Sequence, residues 1–523
     1  MNLGTAMTGW WERKVVLCAL VFAVALPLLL PAFAPLTDLP GHMARWHIAM
    51  EIGHSPSLAR YFSYAWQPIG NLGLDLLVPP LAHLLGLELA AKCAVLLIPP
   101  LTAVGMFWSA FEVHRRIPPS AWFALPFAYA WPFQFGFVNF AFSQALAFCA
   151  LGLWLRMGRN RRFALRAALF APIGCALWLA HNAGWGVFCL MAFGTEIAGL
   201  RKEQRSWFAA GAGAVLQCVP LGLPILFMLF NPNHSARGNS TGDWFDMSAK
   251  FLWLIASLRD RWYAFDLLSV GSVVVMLYAA GRDRRLGFDP GLAWPALLCG
   301  LAFLLLPRLL LGGAYVDMRV VPAALALALL AIRMPDEPRL RSRIAVLALL
   351  FFALRIAGTT LSFADRSGEQ QRQLQALDAI PRGAAVLALI AKPCLTPWSD
   401  GRFDHLPAFA IMRRDAFVNE QWDLEGQQLV RVRHSGAAPF LGDPSQLVYP
   451  GRCPEIGRSP DRAIASFPRA AFTHVWTIGI PQSAVHAPDL RLIWSNEVSA
   501  VYAVAHPAPV APAESLAGAS SPE

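Results

Sequence analysis

Charged residues are scarce in this chain of 523 residues: Asp, Glu, Lys and Arg make up 15%, and hydrophobic residues make up 56%. That balance argues against an ordinary soluble protein and is typical of a chain that crosses a membrane many times. The sequence also lacks a phosphate-binding glycine loop, a serine nucleophile elbow and the ligand spacing of zinc sites. These absences argue against a cytosolic nucleotide-driven enzyme.

Cysteine is infrequent, and the net charge does not come from long basic runs. Seven of the nine cysteines lie in apolar stretches, and only Cys394 and Cys453 lie in the polar C-terminal region. Either a disulfide between these two or a pair of free thiols fits the sequence. The formal charge of +10 arises from short clusters between apolar runs, which indicates membrane topology and argues against nucleic acid as a partner.

Apolar stretches of bilayer length, with basic clusters taken as cytoplasmic loops, predict about eleven membrane spans. The predicted spans are 15–34, 89–111, 119–136, 139–156, 164–181, 183–200, 207–230, 263–280, 291–311, 315–332 and 344–362. The first run could instead be a signal peptide, but its length favours a span. Segment 71–87 is short and broken by Pro79-Pro80, so we expect it to lie on the outer side or to be re-entrant.

The chain is expected to divide into a membrane part, 1–362, and a more polar part, 363–506. The membrane part contains a first outer loop, 35–70, in which Gly41–Ile52 has the pattern of an interfacial helix. The polar part has one helical pattern followed by several strand patterns and predicts a small extracytoplasmic α/β domain. The predicted helix is 369–380, and the predicted strands are 384–391, 428–433, 472–480, 490–494 and 499–504. Residues 507–523 are rich in Ala, Pro and Ser and predict a disordered tail.

Asp38 is the candidate catalytic residue. It follows the first span within the motif Thr37–His42. A carboxylate at a partly dry interface can have a raised pKa and can accept a hydroxyl proton. A solvated loop acid or a helix N-cap would account for the same residue.

Arginines near the outer ends of later spans form a second candidate group. Arg308, Arg319 and Arg355 could neutralise a lipid-linked phosphate, since arginine stays charged when buried and binds phosphate with two donors. Asp317 precedes Arg319 by two residues and could pair with an arginine instead. Snorkelling and ion pairing are the structural alternatives for all of them.

Three further polar residues are candidates for substrate contact. His42 and Arg45 follow Asp38 at helical spacing, and His181 lies in a polar break between two spans, where it could also cap a helix. No cofactor is implied. A divalent metal stays open, with Asp38, His42 and His47 as ligands, although no later cluster completes the shell.

Four short features together resemble the GT-C superfamily of membrane glycosyltransferases, especially the protein mannosyltransferase and aminoarabinose transferase type. They are the acidic first outer loop Thr37–His42, the Pro-Pro helix Val78–Leu81, the segment Tyr315–Arg319 with the following Val320–Pro322, and a C-terminal outer domain. The sequence departs from the family in one respect: the family often has adjacent acids, whereas Leu39 follows Asp38.

The resemblance implies transfer of a sugar from a polyprenyl-phosphate donor to a hydroxyl of a glycan, lipid or protein acceptor. Asp38 would be the general base, and Arg319, with Arg308 or Arg355, would hold the donor phosphate. It further implies a bacterial inner-membrane protein with a cytoplasmic N-terminus and a periplasmic C-terminal domain. A transporter or flippase, or a non-catalytic membrane assembly protein, is the alternative.

Overall fold

The computed structural model describes residues 9–230, 240–394, 398–399, 401–451 and 457–505. Helices fill the first part of the chain, and a sheet with short helices fills the last part. The predicted fold class, a mostly helical membrane bundle with a small C-terminal α/β domain, is therefore confirmed. The predicted tail and Cys453 lie outside the described residues.

The described α-helices are short before residue 87 and long through most of the membrane part. They are α1 Lys14–Ala23, α2 Leu26–Leu29, α3 Leu39–Glu51, α4 Pro56–Tyr61, α5 Gly73–Leu85, α6 Leu87–His114, α7 Trp131–Phe135, α8 Val138–Arg159, α9 Phe163–Ala180, α10 Asn182–Lys202, α11 Trp207–Cys218, α12 Leu223–Phe230, α13 Met247–Ile255, α14 Tyr263–Arg282, α15 Pro290–Leu305, α16 Val316–Leu330, α17 Pro338–Leu374, α18 Phe409–Arg414 and α19 Pro460–Ser466.

Within the described ranges, seven helical segments are long and apolar enough to cross a membrane. They are Leu87–His114, Val138–Arg159, Phe163–Ala180, Asn182–Lys202, Trp207–Leu229, Tyr263–Arg282 and Pro338–Ala379. Two predicted spans differ in form. Span 15–34 is broken between α1 and α2 near Pro27, and span 119–136 is a 3-10 helix, Pro119–Tyr129, followed by α7. Prolines account for both breaks, because each removes a helical hydrogen bond. The count of eleven stays a prediction.

The last long helix, α17, continues beyond its predicted span. Its 37 residues give a length of about 55 Å, whereas the hydrocarbon core of a bilayer is about 30 Å thick. The first half of the separately predicted helix at 369–380 is therefore the end of α17, and a short 3-10 helix, Gln375–Ala379, follows it. One continuous helix thus carries the chain from the bundle into the C-terminal domain.

Loops rich in basic residues meet at one end of the bundle. Arg116 pairs with Asp336 at 3.4 Å, and Arg285 pairs with Glu337 at 3.2 Å. His114 contacts the carbonyl of Leu330, the last residue of α16, at 2.8 Å. Arg319, in the first turns of α16, therefore lies toward the opposite end of the bundle.

The C-terminal domain contains a mixed sheet. Its strands are β4 Ala385–Ala391, β5 Phe417–Val418, β7 Leu447–Val448, β8 His474–Ile478, β9 Leu490–Ser495 and β10 Ser499–Val504. β4 pairs in parallel with β5, β7 and β8, and β10 pairs antiparallel with β8 and β9. Of the described strands, four short ones lie outside this sheet: β1 Phe62–Tyr64, β2 Gly287–Phe288, β3 Ile332–Arg333 and β6 Val430–Val432.

The first outer loop and the C-terminal domain are joined directly. The predicted strand at 428–433 forms β6, Val430–Val432, which pairs antiparallel with β1 of that loop. At Gly41 of α3 the approach is so close that an added Cβ would lie 2.8 Å from the Trp422 ring. Arg402 of the domain donates to the carbonyl of Pro35 and, at 2.8 Å, to the Gln134 side chain. These contacts fix the domain over the start of α3.

Candidate active site

A cavity of about 780 Å³ lies where the first outer loop, the start of α16 and the C-terminal domain meet. Acidic, basic, amide and aromatic side chains from all three regions line it. The cavity includes Asp38 and Arg319, which are 281 positions apart in the chain (319 − 38). It also includes the predicted residues His42, His181 and Arg308.

Asp38 lines this cavity, and two backbone contacts fix its position. Its N–H donates to the carbonyl of Phe135 at 3.0 Å. Gly136 has a φ of +99° and passes so close that a Cβ there would lie 2.5 Å from the Asp38 nitrogen. Asp38 occupies the N-cap position of α3, but its side chain makes no capping hydrogen bond. Its carboxylate therefore takes no part in helix capping and is available to a ligand in the cavity.

Burial sets the protonation of Asp38. The residue is 7% exposed, and the loss of water raises the pKa of its carboxyl to about 7, against the lowering effect of the nearby His405 charge. A carboxyl group with a pKa in this range can accept a proton from a bound hydroxyl near neutral pH. Asp38 thus has the exposure and the basicity that a general base requires.

His405 of the C-terminal domain also lines the cavity and lies close to Asp38. Its Nδ1 lies 2.6 Å from a carboxylate oxygen of Glu420. Its Nε2 lies 3.8 Å from Asp38 and 3.6 Å from Asp443. Burial opposes the charge on this ring, but the hydrogen bond and charge of Glu420, together with the charges of Asp443 and Asp38, outweigh it and raise the pKa of His405 to about 10. His405 is therefore an imidazolium at neutral pH.

Arg319 is the buried cation of the site. Its guanidinium carbon lies 4.4 Å from the centre of the Phe137 ring, and the residue is 9% exposed. Among the described residues it has no ion pair, and its Nε has no hydrogen-bond partner. A buried guanidinium is costly unless an anion accompanies it. The arrangement therefore fits a site that receives its anion from a ligand.

The other predicted residues in the cavity lining, His42, His181 and Arg308, offer less charge to a bound ligand than Asp38 and Arg319. The ring of His42 packs 5.1 Å from that of Trp422, and burial holds the pKa of His42 well below its ordinary value. His181 accepts the N–H of Ala183 and so caps α10, as one interpretation of the sequence predicted. Arg308 pairs with Asp243 at 3.1 Å and is 42% exposed, so its charge is largely screened.

The structure does not bring Arg45, Asp317 or Arg355 to the cavity lining, so the prediction that they contact the donor is not supported. Each forms a buried ion pair instead. Their partners are Asp75 for Arg45 at 2.7 Å, Lys250 for Asp317 at 3.2 Å and Asp266 for Arg355 at 2.8 Å. A buried charge requires such a partner, and these three join neighbouring helices.

Several residues of the site could not be identified from the sequence because they belong to the C-terminal domain. Lys392 follows β4 and Tyr449 follows β7, and both line the cavity. Glu420, the second residue after β5, is buried behind the lining and binds His405. These strands are parallel, and functional side chains collect at the carboxyl ends of parallel strands. The run Asn419–Trp422 after a buried strand was the available signal.

The metal and disulfide predictions are only partly addressed. Within the part of the chain that the structure describes, no group of three or more His, Cys, Asp and Glu side chains is arranged to hold a metal ion. Cys394 is disulfide-bonded, whereas its predicted partner, Cys453, lies outside the described residues.

Comparisons with known proteins find similar solved structures. No family model and no curated protein matches the chain. Two crystal structures of ArnT from Cupriavidus metallidurans are similar. The one bound to undecaprenyl phosphate has 14% identity and a TM-score of 0.48, covering 94% of this chain and 99% of that one. The apo structure has 16% identity and a TM-score of 0.46, covering 94% and 98%.

At these identities and scores the likeness carries no conclusion about chemistry. What this protein does has to follow from its own cavity.

Proposed function

We propose that this protein is an integral-membrane glycosyltransferase that moves a sugar from a polyprenyl-phosphate donor to an acceptor hydroxyl. One observation carries the proposal: a buried carboxylate with a pKa near neutrality, Asp38, and a buried cation without an ion-pair partner among the described residues, Arg319, line the same cavity. A general base and an anion site are the two groups that phosphate-leaving transfer needs.

The reaction follows from the two residues. Asp38 accepts the proton of the acceptor hydroxyl as its oxygen attacks the anomeric carbon of the donor sugar. The bond between that carbon and the phosphate oxygen breaks, and the phosphate leaves with the electron pair. Arg319 stabilises the negative charge that develops on the leaving phosphate. The products are the glycosylated acceptor and the polyprenyl phosphate, and the proton stays on Asp38 until it is released.

The position of the cavity supports a lipid-linked donor on the extracytoplasmic side. The basic loops around Arg116, Arg285 and Arg341 lie at the opposite end of the bundle, and such loops are usually cytoplasmic. Arg319 lies in the first turns of α16, where a phosphate at the membrane boundary can reach it while its polyprenyl chain stays in lipid. The acceptor would then enter beneath the C-terminal domain.

The experiment uses purified full-length protein in phospholipid vesicles with a radiolabelled polyprenyl-phosphate-linked sugar and a membrane glycolipid extract as acceptor. Wild type should transfer the label, and Asp38→Asn should bind the donor but not transfer. The matched control is Asp423→Asn, an exposed acid that pairs with Arg431 at 2.9 Å and whose loss should cost little. Full transfer by folded Asp38→Asn would overturn the proposal.

The same vesicles distinguish the other classes. A flippase would move the labelled lipid between leaflets with its sugar still attached. An assembly protein would neither bind the donor nor move it. Either result would replace the glycosyltransferase assignment.

A further inference from the structure

His405 of the C-terminal domain lies between carboxylates from two separate regions of the chain. Glu420, which is fully buried, accepts a hydrogen bond from Nδ1. Asp38 and Asp443 face Nε2 at 3.8 and 3.6 Å. Both distances are too long for direct hydrogen bonds but short enough for strong attraction between charges in a buried site.

The position of the histidine ring is closely determined. The Trp422 ring packs against it with centroids 4.7 Å apart. The second oxygen of Glu420 accepts from the Gln421 side chain at 2.7 Å, and the same Gln421 nitrogen lies 3.2 Å from the carbonyl of Gly41. The network therefore returns to α3, three residues after Asp38. Such closure ties the ring of His405 to the helix that carries the base.

We propose that His405, held by Glu420, is a positioning residue whose imidazolium keeps the Asp38 carboxylate ionised and directed at the acceptor hydroxyl. This inference rests on the proposed function, since it assigns Asp38 the part of general base. It also gives the C-terminal domain a direct part in the chemistry, beyond covering the cavity or contacting the acceptor.

The surrounding charges predict the direction in which each substitution should move the pKa of Asp38. Burial raises the pKa of Asp38, the charge of His405 lowers it, Asp443 and Asp404 raise it, and Lys392 lowers it. Loss of the imidazolium should therefore raise the pKa of Asp38 further, and loss of the Asp443 charge should lower it. The other charged or titratable groups around this pair are His42, Arg319 and Glu420.

Glu420→Gln is the most informative variant because a glutamine oxygen can still accept the Nδ1 hydrogen bond. It keeps that hydrogen bond and removes a charge that helps to hold His405 protonated, although the glutamine nitrogen cannot accept from Gln421 as the second oxygen of Glu420 does. His405→Gln removes the cation itself. Asp443→Asn removes the second carboxylate. If His405 had a purely structural role, this variant would have no reason to move the pKa of Asp38 in the opposite direction from the other two variants.

The first measurement does not depend on sugar transfer. A hydrophobic carbodiimide reacts with protonated carboxyl groups, so the pH dependence of adduct formation on the Asp38 peptide, followed by mass spectrometry, reports the pKa of Asp38. The labelling midpoint should move to higher pH in His405→Gln and, by less, in Glu420→Gln, and to lower pH in Asp443→Asn. The control, Glu425→Gln, is exposed and should leave the midpoint unchanged.

The second measurement is the pH profile of transfer, whose acid limb should shift in the same directions. If the labelling midpoints are equal in all the folded variants, the positioning assignment is wrong whatever the transfer rates. If the midpoints shift as described but wild type transfers no sugar, the positioning assignment stands and the glycosyltransferase proposal fails. Should His405→Gln not fold, Glu420→Gln and Asp443→Asn still decide the matter through their opposite signs.

Discussion

Replacing Arg319 by glutamine should weaken the binding of a phosphate-bearing lipid without weakening the fold. The guanidinium has no ion pair among the described residues, and its contact is the face of Phe137 at 4.4 Å. Losing that stacking costs about 0.5–2 kcal/mol, whereas removing a buried unpaired charge recovers several kcal/mol of desolvation penalty. The balance predicts an unfolding temperature that is unchanged or higher.

Ligand binding should change in the opposite sense. A hydrogen bond to a charged group contributes about 1.5–3 kcal/mol, and each 1.4 kcal/mol is about tenfold in Kd. Arg319→Gln should therefore raise the Kd for undecaprenyl phosphate by about 10- to 150-fold. Binding is measured with purified protein in nanodiscs, and stability is measured by thermal unfolding in the same preparation.

Arg355→Gln is the matched control, since both arginines are buried in helices of the membrane part. Arg355 pairs with Asp266 at 2.8 Å, and breaking a buried pair costs about 3–5 kcal/mol. That variant should lower the unfolding temperature and leave the affinity of the folded fraction unchanged. The reasoning would be refuted if Arg319→Gln destabilised the protein as much as Arg355→Gln while the Kd stayed the same.

Three further predictions concern the base and the docking of the C-terminal domain. Transfer should increase with pH with a midpoint near pH 7, because the pKa of Asp38 is raised to about 7 and only its ionised form accepts a proton; at pH 6 the rate should be about one tenth of its maximum. A midpoint near the ordinary value of an aspartate would contradict this. Gly41→Ala should destabilise the protein by about 1–3 kcal/mol and slow transfer, since its Cβ would meet Trp422 at 2.8 Å; Gly53→Ala, with nothing within 4 Å, should do neither. Arg402→Ala should expose the C-terminal domain to limited proteolysis, because it removes hydrogen bonds to the membrane part; equal protection of wild type and variant would count against that role.

Much of the fold could be predicted because membrane helices are long and their signal is compositional. The helix at 138–159 and the helix at 182–202 follow directly from apolar length between basic clusters. The form of 119–136 could not be predicted, since its proline spacing produces a 3-10 helix whose stability comes from burial against neighbouring helices. The end of α17 was missed because its polar final turns do not have the pattern of a membrane span.

The site was predictable where a residue's surroundings lie nearby in the chain. Asp38 was identified because it follows an apolar run at once, and Arg319 because it is charged within one. Arg355 is likewise charged within an apolar run, and only its distant partner, Asp266, distinguishes this structural arginine from one left for a ligand. No local pattern reveals such a pairing.

The bonds that Arg402 and Gly41 make across the fold also bear on how the protein matures. Asp38 emerges from the ribosome hundreds of residues before His405 and Trp422, which also line the cavity. Until the segment around His405 has settled onto the start of α3, the Asp38 carboxylate lacks part of its surroundings and stays open to water. A hydrated carboxyl has the pKa of an ordinary aspartate, so the raised pKa of Asp38 arises only when the two distant parts of the chain have met.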